Sequence, residues 1–202
     1  NISQAKSSMY DAVKRGIDIV GSLALLVPAA IIFPLVAMAI KLEDKGSVFY
    51  TTKRVGQFNK LITIFKLRTK NGIDAGDDAL KSVLVDTKVG IFLRKTRLDE
   101  LPQLINVLKG DLSFIGPRPE MPALAKVYAE SISYYNTRHF LKPGLSGWAQ
   151  INNLDVPRGG IDIKKTVDKL SYDLFYLERR SFFLDIQIAL KTVATIIMRT
   201  GT

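Results

Sequence analysis

Near the N-terminus, a run of 22 residues without a charge, from Ile19 to Ile40, constrains the fold more than any other segment. It reads "IVGSLALLVPAAIIFPLVAMAI". As a helix rising about 1.5 Å per residue, it could cross a bilayer core of about 30 Å. The simplest interpretation is a transmembrane anchor. A signal peptide is a second interpretation, because Ala37-Met38-Ala39 resembles a cleavage site, but the apolar run is longer than an ordinary signal core.

Two prolines and the flanking charges favour a different path for this segment. Pro28 lies near its middle and Pro34 follows, and a proline inside a helix removes a backbone donor and crowds the preceding turn, so we expect a kink. Cations flank both ends, and the positive-inside tendency places such flanks on the cytoplasmic side. A helix that enters one leaflet, bends at Pro28 and returns satisfies both observations. These features alone leave a kinked span and a re-entrant hairpin equally open.

The composition narrows the function classes. The chain has 29 Lys and Arg against 19 Asp and Glu, a net charge of +10, which predicts an anionic partner: nucleic acid, an anionic membrane surface or a phosphorylated substrate. It has no cysteine, which excludes disulfides, cysteine-based zinc sites and thiol nucleophiles. With a single histidine, any metal would be held by oxygen ligands, which favours magnesium, calcium or manganese.

The rest of the chain has the pattern of a small β-hairpin followed by helices. Residues 47–67 are β-branched and aromatic around a turn at 56–59, and residues 70–82 are typical of a loop. Helical patterns follow at about 86–95, 99–109, 120–138, 162–180 and 184–199, with Gly110 as a C-terminal cap of the second. The wide apolar face of the last helix indicates core packing or, in so basic a chain, a position in the membrane interface.

An adjacent acidic pair lies in "TRLDELPQLINVLKGDLSFIGPRPE", residues 96–120. If Asp99 is the N-cap of a helix, Pro102 falls in the first turn, where a missing N–H costs little. The unsatisfied amides and the helix dipole would then hold the Asp99 carboxylate ionised. An ionised, positioned carboxylate suits a helix cap and also suits a nucleophile, and a cap is the commoner role for an Asp-Glu pair at a helix start.

Cations surround this pair in the sequence. Arg94 lies just upstream, and Lys66 and Arg68 end the second strand in "FKLR". Arg118 lies between Pro117 and Pro119, whose stiffness can hold a guanidinium for a bidentate contact with phosphate. Each cation alone would be an ordinary surface charge. Together they predict an electropositive pocket around an acidic pair, suited to a phosphorylated substrate and a divalent metal.

The motif "RKTRLDELPQLINVLKGDLSFIGPRPE" resembles the signature of the monotopic phosphoglycosyl transferases, also called the bacterial sugar transferase family. Three other segments agree with the family in order along the chain: "GSVFYTTKRVGQFNKLITIFKLRT", "KPGLSGWAQIN" and "YDLFYLERRSFFLDIQIALKTV". The resemblance covers about residues 9–199.

This resemblance implies an α+β fold that is mainly helical, with a small β-hairpin and interfacial amphipathic helices. It implies a re-entrant membrane helix-break-helix at residues 9–43 and a cytoplasmic catalytic domain at residues 44–202. The chain would sit as a monotopic protein on the cytoplasmic face of the bacterial inner membrane, in contact with anionic lipid and without nucleic acid. A homodimer is left open.

The resemblance also implies an activity. Such enzymes transfer a sugar-1-phosphate from a UDP-sugar to a polyprenyl phosphate, usually undecaprenyl phosphate, and release UMP. They work with magnesium through a covalent phosphosugar–enzyme intermediate, and the product starts a bacterial glycoconjugate.

The family's functional residues map onto matching positions here. Asp99 would be the nucleophile and a magnesium ligand, with Glu100 positioning or deprotonating the acceptor phosphate. Arg94 and Arg118 would contact phosphate or the uridine part of the substrate, and Pro117 and Pro119 would shape the loop that carries Arg118. Lys66 and Arg68 would bind substrate in the same site, and Asp185 would support it.

The chain departs from the family pattern in two places. It has "FKLRTK", with Lys70 where the family often has methionine, and "DVPRGGIDIKK" follows "WAQINNL" where the family commonly has "GR". We therefore expect residues 152–164 to read the sugar, whose identity stays open. The rival hypotheses are a basic nucleic-acid-binding protein, which explains the charge but not the apolar run, and a membrane scaffold of the same fold without catalysis.

Overall fold

The computed structural model describes residues 7–73, 83–152 and 161–198. These residues form helices joined by short two-stranded pairings, which confirms the α+β, mainly helical class. The helices are α1 (Ser7–Asp44), α2 (Lys88–Lys95), α3 (Gln103–Lys109), α4 (Pro122–Ser131), α5 (Trp148–Ile151), α6 (Ile163–Arg179) and α7 (Phe182–Met198). The strands are β1 (Phe49–Val55), β2 (Leu61–Leu67), β3 (Lys70–Ile73), β4 (Val83–Asp86), β5 (Ser113–Ile115) and β6 (Gly144–Ser146).

Helix α1 is long, apolar and mostly uncovered. From Met9 to Asp44 it is long and apolar enough to cross a membrane, and only 17% of its most apolar window is buried. The helix continues through Pro28 and Pro34, whereas the sequence predicts a helix-break-helix. A proline removes one hydrogen bond and leaves the flanking turns intact, so helical structure can persist around it. The re-entrant path and the boundary at residue 43 stay predictions.

The N-terminal part of α1 is bound to the rest of the chain by polar contacts. Asp18 is 3% exposed, and its carboxylate accepts hydrogen bonds from Ser113 Oγ at 3.0 Å and from the Phe114 amide at 2.9 Å. Arg15 donates to the carbonyls of Val107 and Leu108 at the end of α3. Asp18 is therefore a structural acceptor for β5.

The C-terminal part of α1 contacts the same body. Ile40 packs with Leu67 and Leu93, all at most 4% exposed. The Glu43 carboxylate accepts hydrogen bonds from the Lys88 and Val89 amides at 2.7 and 3.0 Å, which satisfies free donors at the start of α2. Both ends of the apolar helix are thus fixed to one body.

The predicted hairpin is confirmed. Strands β1 and β2 pair antiparallel from Phe49↔Leu67 to Val55↔Leu61. The inward side chains Ile62 and Ile64 pack with Val107, because the alternation of a strand places them on one face.

The hairpin is joined to α3 by one buried side chain, Asn106. Its Nδ2 donates to the Thr63 carbonyl at 2.6 Å, and its Oδ1 accepts from the Phe65 amide at 3.1 Å. The Asn106 side-chain amide therefore pairs with the backbone of β2 as a neighbouring strand would. Because Lys66 also lies on β2, these bonds fix its position relative to α3.

Two predictions from the sequence are wrong in part. Residues 70–73, predicted as a loop, form β3 and pair with β4, because strand partners supply hydrogen bonds that local composition does not reveal. The helix predicted over 120–138 ends at Ser131, where Ile132 is extended and Tyr134 has φ 62°. A 3₁₀ segment, Tyr135–Phe140, replaces its second half.

The other helices agree with the sequence within a few residues. Gly110 ends α3 in the left-handed conformation, at φ 86°, as predicted for a C-terminal cap. On α7, Ile186, Leu190 and Val193 are 58%, 67% and 54% exposed, so the predicted apolar face is not core. Strands β5 and β6 pair in parallel and bring Gly116 next to Gly144.

We expect Asn106→Ala to lower the free energy of unfolding by about 2 kcal/mol, because it leaves the Thr63 carbonyl and the Phe65 amide unpaired. Denaturant unfolding in detergent measures the change. Ile105→Ala, one residue earlier and 43% exposed, is the matched control and should change stability far less. Equal losses in the two variants would contradict a joining role for Asn106.

Candidate active site around Asp99 and Glu100

The acidic pair lies in a tight turn between α2 and α3. Leu98–Glu100 form one turn of 3₁₀ helix, entered through Arg97 at φ 58°. Helix α3 begins only at Gln103, with Pro102 at its N-cap position. The prediction that Asp99 caps this helix is therefore wrong, because the left-handed Arg97 starts a separate turn ahead of the helix.

Asp99 is largely buried, at 8% exposure. Burial, with the charge of the adjacent Glu100, raises the pKa of its carboxyl above the usual value of 3.8, against the opposing charges of Lys66, Arg97 and Arg94. The sequence predicts the opposite, a carboxylate held ionised by a helix dipole. Its Oδ1 atom is buried and has no hydrogen-bond partner among the described residues.

Glu100 has the opposite environment. Lys66 Nζ lies 2.9 Å from its Oε1 atom, and Arg118 Nη2 lies 3.9 Å from the same oxygen. Burial would raise the pKa of this carboxyl, but the charges of Lys66 and Arg118 outweigh it and lower the pKa to about 2. The hairpin and the Pro117–Pro119 loop thus bring two of the predicted cations to the acidic pair.

The Pro117–Pro119 loop is held through its backbone. The Gly116 amide donates to the Ser146 carbonyl at 2.8 Å, and the Gly144 amide donates to the Pro117 carbonyl at 3.0 Å. Pro117 is buried, whereas Arg118 and Pro119 are partly exposed. These bonds place the loop beside the end of β6 and leave the Arg118 guanidinium facing Glu100.

Two other predicted cations have protein partners. Arg94 Nη1 lies 3.1 Å from Asp86 Oδ1, and its Nε donates to Thr69 Oγ1 at 3.2 Å. The exposed Arg94 still affects Asp99 electrostatically. Arg68 forms a short ion pair with Asp44 at the end of α1, which makes it a tether for that helix.

Asp185 lies in a different cluster. Its carboxylate accepts hydrogen bonds from Tyr10 at 2.7 Å, Lys14 at 2.7 Å and Tyr176 at 2.6 Å. Within the described chain these contacts join α1, α6 and α7, and none of them involves Asp99 or Glu100. The contacts indicate support of the α1 position, while a role in the reaction stays a prediction.

Two segments depart from the family pattern, and the structure describes all of one and part of the other. Lys70 lies on β3, with Nζ 3.9 Å from Asp86 Oδ1. Of the predicted sugar-reading region, residues 153–160 lie outside the described residues.

Sequence reasoning missed Arg54 on β1. Arg54 is opposite Ile62 and Tyr50 is opposite Lys66, so Arg54 and Lys66 lie on the same face of the hairpin. Burial lowers the pKa of Arg54, and among the charges that act on it are Glu120, Arg118 and Glu100. The strand alternation beside the predicted "FKLR" cations could have revealed it.

The acidic pair fits a divalent cation in ligand type. The described residues hold no cluster of three or more Asp, Glu, His or Cys side chains of the kind that forms an all-protein metal cage. Magnesium commonly binds through one or two carboxylates together with substrate phosphates. The two carboxylates and the unpartnered Asp99 Oδ1 match that arrangement.

Comparison with known families identifies the chain's relatives. A sequence profile described as "Bacterial sugar transferase" matches residues 9–199. The chain belongs to this family. The match includes α1 from Met9 onward, the hairpin, the acidic pair and all of α7, as the motifs in the sequence predict.

Individual members of the bacterial sugar transferase family are similar over most of this chain. The UDP-N-acetylgalactosamine-undecaprenyl-phosphate N-acetylgalactosaminephosphotransferase of Aeromonas hydrophila is 38% identical over 204 residues, 96% of this chain and 46% of its own length. The UDP-glucose:undecaprenyl-phosphate glucose-1-phosphate transferase of Escherichia coli (strain K12) is 38% identical over 191 residues, covering 93% and 40%. An uncharacterized sugar transferase of Bacillus subtilis (strain 168), EpsL, is 36% identical, covering 94% and 89%. The chain thus spans less than half of the first two relatives.

We expect the Asp99 carboxyl to titrate above 3.8 in magnesium-free buffer, and Glu100→Gln to lower its midpoint. The substitution removes a repulsive charge, and it also frees Lys66 to act on Asp99. Carbon-13 NMR of the labelled Asp99 carboxyl measures the midpoint.

The exposed substitution Glu130→Gln is the matched control and should leave the Asp99 midpoint unchanged. An Asp99 midpoint that does not move in Glu100→Gln would contradict the electrostatic coupling of the pair.

Proposed function

We propose that this chain transfers a sugar-1-phosphate from a UDP-sugar to undecaprenyl phosphate and releases UMP. The observation that carries the proposal is the acidic pair Asp99–Glu100 beside two cations. Lys66 Nζ lies 2.9 Å and Arg118 Nη2 lies 3.9 Å from Glu100 Oε1. A reaction between two anionic substrates needs positive charge around the reacting phosphorus, and little covalent assistance from the protein. The names of the Aeromonas and Escherichia relatives specify UDP-sugar and undecaprenyl phosphate, with two different sugars.

In the first step, an oxygen of Asp99 attacks the phosphorus that carries the sugar. The bond from that phosphorus to the bridging oxygen breaks, and UMP leaves with that oxygen. Asp99 then carries the phosphosugar as an acyl phosphate. Lys66 and Arg118 offset the negative charge that the donor phosphates bring to the acidic pair, and the exposed Arg94 adds to the positive charge that acts on Asp99.

In the second step, an oxygen of the lipid phosphate attacks the same phosphorus. The bond between Asp99 and phosphorus breaks, which regenerates the carboxylate and leaves the sugar joined to the lipid through a diphosphate. The acceptor and the donor use one site in turn, so they need not be bound together.

Glu100 fits a positioning role in this scheme better than a role as a base. A carboxylate with a pKa of about 2 is a weak proton acceptor at neutral pH. A phosphate monoester already loses its second proton near pH 6, so the acceptor needs little deprotonation. Glu100 instead holds Lys66 and Arg118 beside Asp99.

Magnesium is the cofactor that we propose for this site, held by Asp99 together with Glu100. When bound, it supplies positive charge that offsets the repulsion between the two carboxylates and the donor phosphates. The unpartnered Asp99 Oδ1 is the atom best placed to bind it.

We propose that α1 and α7 attach the chain to the membrane. Asp18 and Asp44 are 26 residues apart in sequence, or about 39 Å along a straight helix, yet both bind the same body. Most of the large apolar side chains between them are exposed, as is the apolar face of α7. These contacts support a monotopic protein on the cytoplasmic face, with α1 re-entering one leaflet and α7 in the interface.

We expect Asp99→Asn to lower UMP release by at least about a thousandfold, because the amide cannot form the intermediate. The assay uses detergent-purified protein, undecaprenyl phosphate, magnesium and a panel of UDP-sugars. The exposed substitution Asp168→Asn is the matched control. Without lipid, labelled UMP should exchange into the UDP-sugar that serves as donor. Near-normal turnover in Asp99→Asn, or turnover without exchange, would contradict a covalent Asp99 intermediate.

We expect Pro28→Leu to straighten α1 and move one flank across the membrane. The chain has no cysteine, so Met9→Cys and Ser47→Cys can report each flank separately through a membrane-impermeant maleimide. In the parent protein both should react only from the cytoplasmic side, and Pro34→Leu is the matched control. Parent flanks on opposite sides, or unchanged labelling in Pro28→Leu, would contradict a bend at Pro28.

A further inference from the structure

Four buried charged side chains lie behind the Pro117–Pro119 loop and take no direct part in the proposed reaction. They are Glu120, Arg138, Lys169 and Asp173, with side chains at most 5% exposed. Two are cations and two are carboxylates, so their formal charges cancel.

These four residues form two linked ion pairs. Arg138 Nε donates to Asp173 Oδ2 at 2.8 Å, and its Nη2 lies 2.7 Å from the same oxygen. Lys169 Nζ lies 3.1 Å from Glu120 Oε2, and Arg138 Nη1 lies 3.9 Å from the same oxygen. Asp173 and Lys169 are one turn apart on α6, which fixes both pairs to that helix.

Arg138 also reaches the Pro117–Pro119 loop. Its Nη2 donates to the backbone carbonyl of Arg118 at 3.0 Å. Because Pro117 and Pro119 have no N–H, this part of the loop depends on its carbonyls for hydrogen bonding. The Arg118 backbone carbonyl thus accepts a hydrogen bond from the buried, charged Arg138 side chain, while the guanidinium of Arg118 itself faces Glu100.

Stability alone does not account for such a cluster. Buried ion pairs lose hydration that their mutual attraction only partly returns, and apolar side chains of similar size often stabilise a fold as well. The Arg138 guanidinium fork does supply hydrogen bonds in a fixed geometry, because its N–H donors are coplanar and rigid. The feature that this geometry fixes is the backbone at Arg118.

We propose that Arg138, held in place by Asp173, is a positioning residue for Arg118. Its hydrogen bond to the Arg118 carbonyl keeps the Arg118 guanidinium on the Glu100 side of the loop. The consequence for turnover rests on the proposed function, whereas the placement of Arg118 does not.

The test replaces the ion pair as a unit. Arg138→Met with Asp173→Leu removes the bond to the carbonyl without leaving one buried charge unpaired. Arg138→Lys is the second variant, which keeps a charge opposite Asp173 but lacks the fork. Ile188→Ala is the control: it removes a fully buried side chain that packs in an apolar cluster with Leu184 and Tyr176.

The first readout needs no substrate. Phenylglyoxal modifies arginine side chains, and peptide mass spectrometry gives the rate at Arg118, whose side chain is 26% exposed. Under conditions where all variants are folded, we expect the rate to rise several-fold in both Arg138 variants and to stay at the parent value in Ile188→Ala. An unchanged rate in the Arg138 variants overturns the proposal.

The second readout is a double-mutant cycle with Arg118→Met, followed through kcat/KM for UMP release. In the parent background, Arg138→Met with Asp173→Leu should lower kcat/KM by about ten- to a hundredfold. In the Arg118→Met background, the same two substitutions should lower kcat/KM by less than about twofold. Equal losses in both backgrounds indicate general damage to the fold and overturn the proposal. If the parent releases no UMP from any donor, the proposed function fails, and the labelling rates alone decide the placement of Arg118.

Discussion

Two adjacent carboxylates in a mostly buried turn repel each other, and the surrounding structure offsets that repulsion. Lys66 comes from β2 and Arg118 from the Pro117–Pro119 loop, so the site depends on holding two distant segments against one turn. Asn106 holds the hairpin to α3, and the parallel β5–β6 pair holds the loop. These two sets of contacts therefore keep the two cations within reach of Glu100.

Helix α1 differs from the acidic site, because it is apolar and mostly uncovered. Its polar side chains bind the body at both ends, through Asp18 at β5 and Glu43 at α2, while most of its large apolar side chains stay uncovered. In water such a helix would expose far more apolar surface than a soluble domain tolerates. Arg68 joins α1 to the acidic pair, because it pairs with Asp44 and lies two residues after Lys66, which pairs with Glu100. In the proposed membrane arrangement, the depth of α1 would therefore set the height of the acidic pair above the bilayer.

Local sequence patterns predicted the elements that local patterns determine. The hairpin, α2, α6 and α7 follow from alternation or helical periodicity, and Gly110 follows from the left-handed position that ends α3. The pairing of β3 with β4 depends on a partner across residues 74–82, and no local signal shows it. The acidic pair and its main cations were found through their motif. Arg138 was not, because its place near the site depends on long-range contacts. Arg54 was also missed, although the alternation of the hairpin places it on the same face as Lys66.

The site's chemistry depends on an inequality between its two carboxyl groups. Glu100 has its pKa lowered by Lys66 and Arg118, although burial opposes them, whereas Asp99 has its pKa raised by burial and by Glu100 itself. Environments that push two neighbouring pKa values apart usually mark two different roles. A more basic carboxylate is the stronger nucleophile once positive charge keeps it ionised, and a permanently ionised one is the better anchor for cations. Asp99 suits the first role and Glu100 the second, so the order of the pair in the turn, and not only its presence, carries the proposed function.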